Sequence, residues 1–218
     1  PAKPGAQTWG EILEDRGSQV TFSALGQRAP VEAKKAWDPD GSKKNALRAA
    51  VAARLPELEV RSGGSTSVDI TRTGIDKAYG MRKLAEQTGI PLDDMLFVGD
   101  RLDTDIEGAV NAGIDSLLVF SGAHGKKDLV TAPPQAHPSY IGADVGALLR
   151  PPRTATQSPG RAVCGAQEIR VSADGAKLVT QPDGVEEQLD ALWALAQLAW
   201  RDPELAVEAV LQRLDLVG

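Results

Sequence analysis

Apolar and polar positions follow two different rhythms along this chain. Val20, Phe22 and Ala24 alternate with polar neighbours, the period of two expected of a half-buried strand. They predict a strand over about 18–25, joined to a shorter one over about 11–15 by a hairpin turn at Arg16 and Gly17. KKNALRAAVAARL, residues 43–55, reads as a helix with Ser42 as N-cap and Pro56 closing it. Strands over about 57–61 and 66–71 follow, which together suggest a small α+β module. From residue 76 the order is helix, strand, helix, strand: DKAYGMRKLAEQTG, MLFVGD, TDIEGAVNAG and SLLVF, a parallel α/β pattern. LLRPPRTATQSPG reads as a Pro-rich linker. Beyond it AQEIRVS and AKLVTQ flank Asp174 and Gly175 as a hairpin. Two helices then close the chain, over about 184–200 and 203–215, separated by Asp202 and Pro203. Leu189, Leu192, Trp193, Ala196 and Trp200 form one stripe on the first, where the tryptophans are core residues before they are ligand-stacking ones.

Composition narrows the function classes. A chain of 218 residues with 42% apolar content can bury one large or two small cores. A net charge of -6 and a pI near 5.0 show no basic footprint for nucleic acid or an anionic membrane, so small-molecule chemistry fits better. No apolar run approaches the roughly 18 residues of a membrane span, and no signal peptide opens the sequence. The single cysteine, Cys164, cannot form an intramolecular disulfide; a reducing cytoplasm and a buried packing role are expected. The chain opens on Pro1 within the loop-like PAKPGAQTWG, read as a cut edge.

Candidate chemistry sits in LFVGDRLDTDIEGAVNAG, residues 96–113. An apolar strand runs into a loop bearing Asp100, Asp103 and Asp105. Mg²⁺ takes hard oxygen ligands and usually one or two carboxylates, leaving places for water and substrate phosphate. Asp100, at the carboxyl end of a strand, is the best placed. A solvated acidic turn that caps the following helix is the alternative.

Two stretches in order, GIDKAYG at 74–80 and GDRLDTD at 99–105, resemble the third and fourth motifs of haloacid dehalogenase-like (HAD) phosphohydrolases. The resemblance implies that Lys77 balances charge around a nucleophile and phosphate, that Asp100 is a magnesium ligand, and that Asp105 supports the metal indirectly. EDRGSQVTFSALGQ and GGSTSVDITRTGIDKAYG look like the cap region of the phosphomannomutase-like type IIB branch. By that likeness Arg16 would grip a phosphate or sugar hydroxyl, and Ser67 and Asp69 would hydrogen-bond the sugar. Alternatively Ser67 and Asp69 simply alternate outward along a strand. Gln27 stands where the eukaryotic mutases carry an arginine, which favours phosphatase over mutase. Residues 95–150 and the tail resemble instead the type IIA nitrophenylphosphatase and glycerol-phosphate phosphatase branch. Either a natural mosaic or two joined coding regions would give this switch near MLFVGD.

The implied architecture is α/β: a cap module over 1–72, the C-terminal part of a Rossmann-like HAD core over 73–150, a linker over 151–160, and a small α+β tail over 161–218. A HAD phosphatase also needs an aspartate nucleophile with a second aspartate two residues on. One candidate exists, Asp38 and Asp40 in AWDPDGSKK. The charged VEAKKAW before them does not suit a central strand, and Pro39 removes a donor between the carboxylates. They are therefore read as the start of the cap helix, with Asp40 or Ser42 capping it. The chain is thus expected to begin inside the cap, to lack the nucleophile segment, to be inactive alone, and to leave edges open on the strands around 95–99 and 116–120. His124 and His137 are read as surface loop residues.

The expected function is a Mg²⁺-dependent phosphohydrolase of sugar or polyol phosphates. Its partners would be a small phosphorylated substrate and a missing N-terminal core segment or an oligomer partner. A non-catalytic sugar-phosphate-binding or protein-interaction module is the alternative.

Overall fold

The computed structural model describes residues 8–216, so most of the loop-like opening lies outside the described residues. The chain divides into two units, one ending at Ile75 and the other beginning at Asp76.

The first unit is built on an antiparallel sheet of order β1-β2-β4-β3. β1 (Leu13–Asp15) and β2 (Gln19–Ser23) form the expected hairpin around Arg16 and Gly17. Gly17 has φ 78, left-handed backbone that a side chain would strain, and its N–H donates to Asp15 Oδ1 at 2.8 Å. VEAKKAW becomes a short helix, α1 (Val31–Trp37), and α2 spans Ser42–Arg54. Neither Asp40 nor Ser42 supplies the main cap of α2. Asp38, 7% exposed, accepts from the Lys43 and Lys44 amides at 3.0 Å each, while Asp40 accepts from Ser42 N at 3.1 Å. Three otherwise unpaired N–H groups of the first turn are satisfied in this way. β3 (Leu58–Ser62) and β4 (Ser67–Arg72) complete the sheet, and α2 lies against both.

Both faces of the sheet hold sheltered positions: on the face of Phe22, Val68 and Val60 are 0% and 8% exposed, and polar residues are buried on the other. Thr21 and Ser23 are 3% and 2% exposed, whereas Val20 is 38% exposed. Hydrogen bonding makes that burial tolerable: Thr21 Oγ1 donates to Asp69 Oδ1 at 2.8 Å, and the Ser23 and Ser67 hydroxyls pair at 2.8 Å.

The second unit opens with α3 (Lys77–Thr88), whose first turn is capped by Asp76 accepting from Tyr79 N at 2.7 Å. A parallel sheet of order β5-β6-β7 follows, made of β5 (Leu96–Gly99), β6 (Asp115–Val119) and β7 (Tyr140–Gly142). β6 is paired on both sides, so only β5, of the two strands expected to have open edges, lacks a second neighbour among the described residues. Between β5 and β6 the chain makes one wide turn over Leu102–Ile106 that runs into α4 (Glu107–Ala112). Ala78 and Met81 of α3 pack on Ala109, Ala112 and Ile114.

After β6, α5 (Lys126–Val130) leads through a Pro-rich loop to β7. The stretch read as a linker, 151–160, carries a strand, β8 (Ala155–Ser158). It pairs with β9 (Arg161–Cys164), then β10 (Gln167–Ser172) and β11 (Gly175–Leu178), giving a four-stranded meander rather than a lone hairpin. α6 (Gly184–Ala199) follows as expected, but the last helix shrinks to α7 (Glu208–Leu211). Turns after Pro203 shorten the helix, although Val207, Val210, Leu211 and Leu214 still reach the core at helical spacing. α6 is buried along Leu189, Leu192, Trp193 and Ala196, in one apolar cluster that runs from Leu102 and Leu118 through Ile169 to Leu216. Cys164 lies in it, and burial beside Asp190 pushes its thiol up to about 12, which leaves it inert. No helix among the described residues is long and apolar enough to cross a membrane.

Neither histidine is a free surface residue. The His137 ring stacks on Trp200 with centroids 3.9 Å apart, its Nε2 is 2.9 Å from the Ala132 carbonyl, and Trp200 Nε1 donates to Leu129 O at 2.9 Å.

Two stability predictions follow from this core. Leu192, fully buried, should cost about 2–5 kcal/mol when changed to alanine, read as a lower urea midpoint. Burial holds the His137 pKa below its ordinary value. The unfolded chain therefore binds the proton first, and stability is complete above the unfolded value and falls as pH drops through the folded one. Between about pH 7 and pH 5 the melting temperature should fall more steeply in the unaltered protein than in His137→Phe, which keeps the stack and cannot titrate.

Candidate functional site

A single carboxylate organises the end of β5. Asp105 is 6% exposed, and its position follows from the wide turn: the Arg101 carbonyl accepts from both Asp105 N at 2.9 Å and Ile106 N at 3.1 Å. Such π-type turns gather at functional sites because the extra residue re-aims side chains. The turn swings the Asp105 side chain back over its own start, where Oδ2 accepts from Asp100 N at 3.2 Å and Arg101 N at 3.0 Å. Its other oxygen, Oδ1, is paired with the Lys77 ammonium. Lys77 is the first residue of α3 and its side chain is 46% exposed, so its charge meets both the buried carboxylate and open space. Its Nζ also stands 5.9 Å from the centre of the Phe97 ring.

Asp100 lies immediately after β5. Its Oδ2 accepts from Ala123 N at 2.8 Å, and its carbonyl accepts from His124 N at 3.1 Å. Oδ1 carries no hydrogen bond among the described residues. Two glycines make room for this packing. A Cβ on Gly99 would run into the Asp105 side chain, and one on Gly122 would run into the Asp100 carboxylate. Asp103, the third carboxylate of the loop, is turned aside. Arg101 donates to it through Nε at 3.0 Å and Nη2 at 2.8 Å, and that guanidinium holds the Asp103 carboxyl below the usual carboxylate range.

Lys77, Asp100 and Asp105 are thus brought together, as the sequence motifs suggested. His124 joins them, which the motifs did not suggest: Leu102 N donates to its Nδ1 at 2.8 Å. The residues expected to hold a sugar belong to the first unit. Ser67 and Asp69 share one face of β4, opposite Ser23 and Thr21 of β2. Gln19 Nε2 donates to Thr21 Oγ1 at 2.9 Å, continuing a line of hydrogen bonds into Asp69. Arg16 is engaged by Glu14, donating to it at 3.0 and 2.7 Å, and that carboxylate raises the guanidinium pKa. Thr21 and Ser23 belong to this polar face too; the signal that could have found them is their register opposite Asp69 and Ser67.

No three His, Cys, Asp or Glu side chains gather as a metal cage among the described residues. The donor set still fits magnesium. Asp100 offers a carboxylate oxygen at a strand end, and Mg²⁺ keeps most of its shell for water and phosphate.

Comparison with known proteins finds relatives of one kind. A family model described as HAD-hydrolase-like matches residues 76–148, and one described as haloacid dehalogenase-like hydrolase matches 31–107. They overlap over the stretch that holds Lys77, Asp100 and Asp105. A D-glycerol 3-phosphate phosphatase of Mycobacterium tuberculosis is 37% identical over 108 residues, covering 48% of this chain and 30% of that protein. Phosphoglycolate phosphatase 2 of Arabidopsis thaliana is 32% identical over 87 residues, 40% of this chain and 29% of that protein. A crystal structure of glycerol phosphate phosphatase from Mycobacterium tuberculosis in complex with calcium superposes with a TM-score of 0.49 at 30% identity, covering 63% of this chain and 42% of that one. The chain therefore spans less than a third of the length of these curated relatives. With two matching models that run from residue 31 to residue 148 across the Lys77 and Asp100 loops, the chain belongs to the haloacid dehalogenase-like hydrolase superfamily.

Proposed function

We propose that this chain is the cap and magnesium-loop portion of a Mg²⁺-dependent phosphohydrolase that acts on sugar or polyol phosphates. One observation carries the reading: Asp105 ties the Lys77 ammonium to the loop that presents Asp100, so a cation and a carboxylate with an uncommitted oxygen share one strand end. Phosphoryl transfer needs little else from a protein than positioned positive charge around the peripheral oxygens. Magnesium held by Asp100 would supply Lewis-acid charge neutralisation. Lys77, half exposed, would share its remaining donors with a phosphate oxygen while Asp105 fixes its position. Asp105 has both oxygens engaged and acts through Lys77 and the two amides it accepts from. In the first unit Ser67, Asp69 and Arg16 would bind hydroxyls or phosphate of the substrate, with Thr21 orienting the Asp69 carboxylate.

Asp38 does not serve as the nucleophile in this reading. Each of its oxygens accepts a backbone amide at the start of α2, and at 7% exposed the carboxylate is enclosed as a helix cap rather than presented to a phosphoryl group. The attacking carboxylate would come from a segment other than these residues; it would displace the substrate's alcohol as the ester P–O bond breaks, forming an acyl phosphate that water then cleaves to free carboxylate and phosphate. The curated relatives, two of them phosphatases of glycerol 3-phosphate and phosphoglycolate, support a small phosphorylated substrate.

The 218-residue chain should accordingly release no phosphate from nitrophenyl phosphate in the presence of Mg²⁺. Turnover that survives Asp100→Ala yet vanishes in Asp38→Ala would overturn the assignment of both residues. Mn²⁺, followed by its electron paramagnetic resonance, should bind the unaltered chain, and Gly122→Ala should weaken that binding about tenfold or more by displacing the Asp100 carboxylate. Equal affinity in the two proteins would show that Asp100 is not the ligand.

A further inference from the structure

We propose that His124 is a positioning residue for the Asp100 loop, acting as a neutral imidazole whose Nδ1 accepts the Leu102 amide. The inference rests on the reading of Asp100 as the metal ligand. A backbone N–H can only donate, so the 2.8 Å contact from Leu102 N fixes Nδ1 as the acceptor and places the ring proton on Nε2. Nε2 in turn faces Asp103 Oδ1 at 4.0 Å, on the side where Arg101 already holds that carboxylate.

The consequence is a clasp of three consecutive residues on both ends of the metal loop. Gly122 leaves the space that the Asp100 carboxylate occupies. Ala123 N grips that carboxylate at Oδ2, and His124 N grips the Asp100 carbonyl. Only the His124 ring reaches past Asp100 to the far side of the loop, to Leu102, which is itself packed in the core. Leu102 begins the wide turn, where a helix-type start leaves its N–H without a partner from the turn itself. The ring supplies that partner. It is 24% exposed, sheltered enough that water would not replace it freely. Asp105 fixes the loop's amides from inside, and His124 fixes them from outside. Between them the direction of the remaining Asp100 oxygen is set before any ligand arrives, which is how the partners of metal ligands raise affinity.

Three variants of the full chain separate this role from simple packing. His124→Asn places Oδ1 where Nδ1 stood and keeps the acceptor while losing the rest of the ring. His124→Leu keeps apolar volume and loses the acceptor. Mn²⁺ affinity should stay within about threefold in His124→Asn and fall about tenfold in His124→Leu, within the usual range for such partners. Amide hydrogen exchange at Leu102 should remain slow in the first and become fast in the second. Equal weakening in both variants, or full affinity in His124→Leu, overturns the proposal. Asp100→Asn serves as the control for the underlying reading: retained Mn²⁺ binding there defeats the metal assignment, and Leu102 exchange alone then decides the role of His124. The ¹⁵N signals of the His124 ring in the unaltered protein need no variant. A proton on Nδ1 instead of Nε2 would refute the clasp directly.

Discussion

A buried carboxylate must find partners for both oxygens or give up its charge, and the second unit is arranged around how Asp105 does so. Its partners come from two places far apart in sequence: the Lys77 ammonium at the start of α3, and the amides of Asp100 and Arg101 where β5 ends. That requirement brings α3 over the strand end, forces the wide turn at 102–106, and demands glycine at position 99. The packing of Ala78 and Met81 on Ala109 and Ala112 then follows the same approach of the two helices. Electrostatics and apolar burial therefore specify one arrangement, the consistency expected of a sequence that folds to a single state.

In the first unit polar burial does comparable structural work by different means. Hydroxyls, which lose less than carboxylates on leaving water, occupy the sheltered positions Thr21 and Ser23, and each is paired across the strands. Asp38 follows the same logic at α2, where burial is compensated by two backbone amides. Carboxylates that are buried and engaged at both oxygens in this way serve the fold, whereas Asp100 keeps an oxygen in reserve.

Much of this was legible in the sequence, for reasons that are physical. Strands and helices with clear periods, β2, α3, β6 and α6, were placed within a few residues. Lys77, Asp100 and Asp105 stand out in the sequence because their motifs flank one strand, and the structure brings them to the end of that strand. Alternation along β2 marks the half-buried face of Phe22 and Ala24 but gives no sign that Thr21 and Ser23 on the other face are buried as well, because the cross-strand partners of their hydroxyls lie more than forty residues away. β8 was hidden by the proline-rich sequence before it, since an edge strand needs pairing on one side only, with β9. His124 was missed because its partner is a main-chain amide 22 positions away, which no side-chain pattern announces.

The continuous apolar cluster from Leu102 to Leu216 bears on ancestry. Leu118 and Ile141 of the parallel sheet share their burial with Ile169 of the meander and Leu192 of α6, so the segment is a single packing block. A genetic crossover inside it would bring together half-cores that had never been selected to fit, while one upstream of the acidic loop would leave that block whole. Shuffling of related genes would thus preserve 102–216 intact and exchange what lies before it.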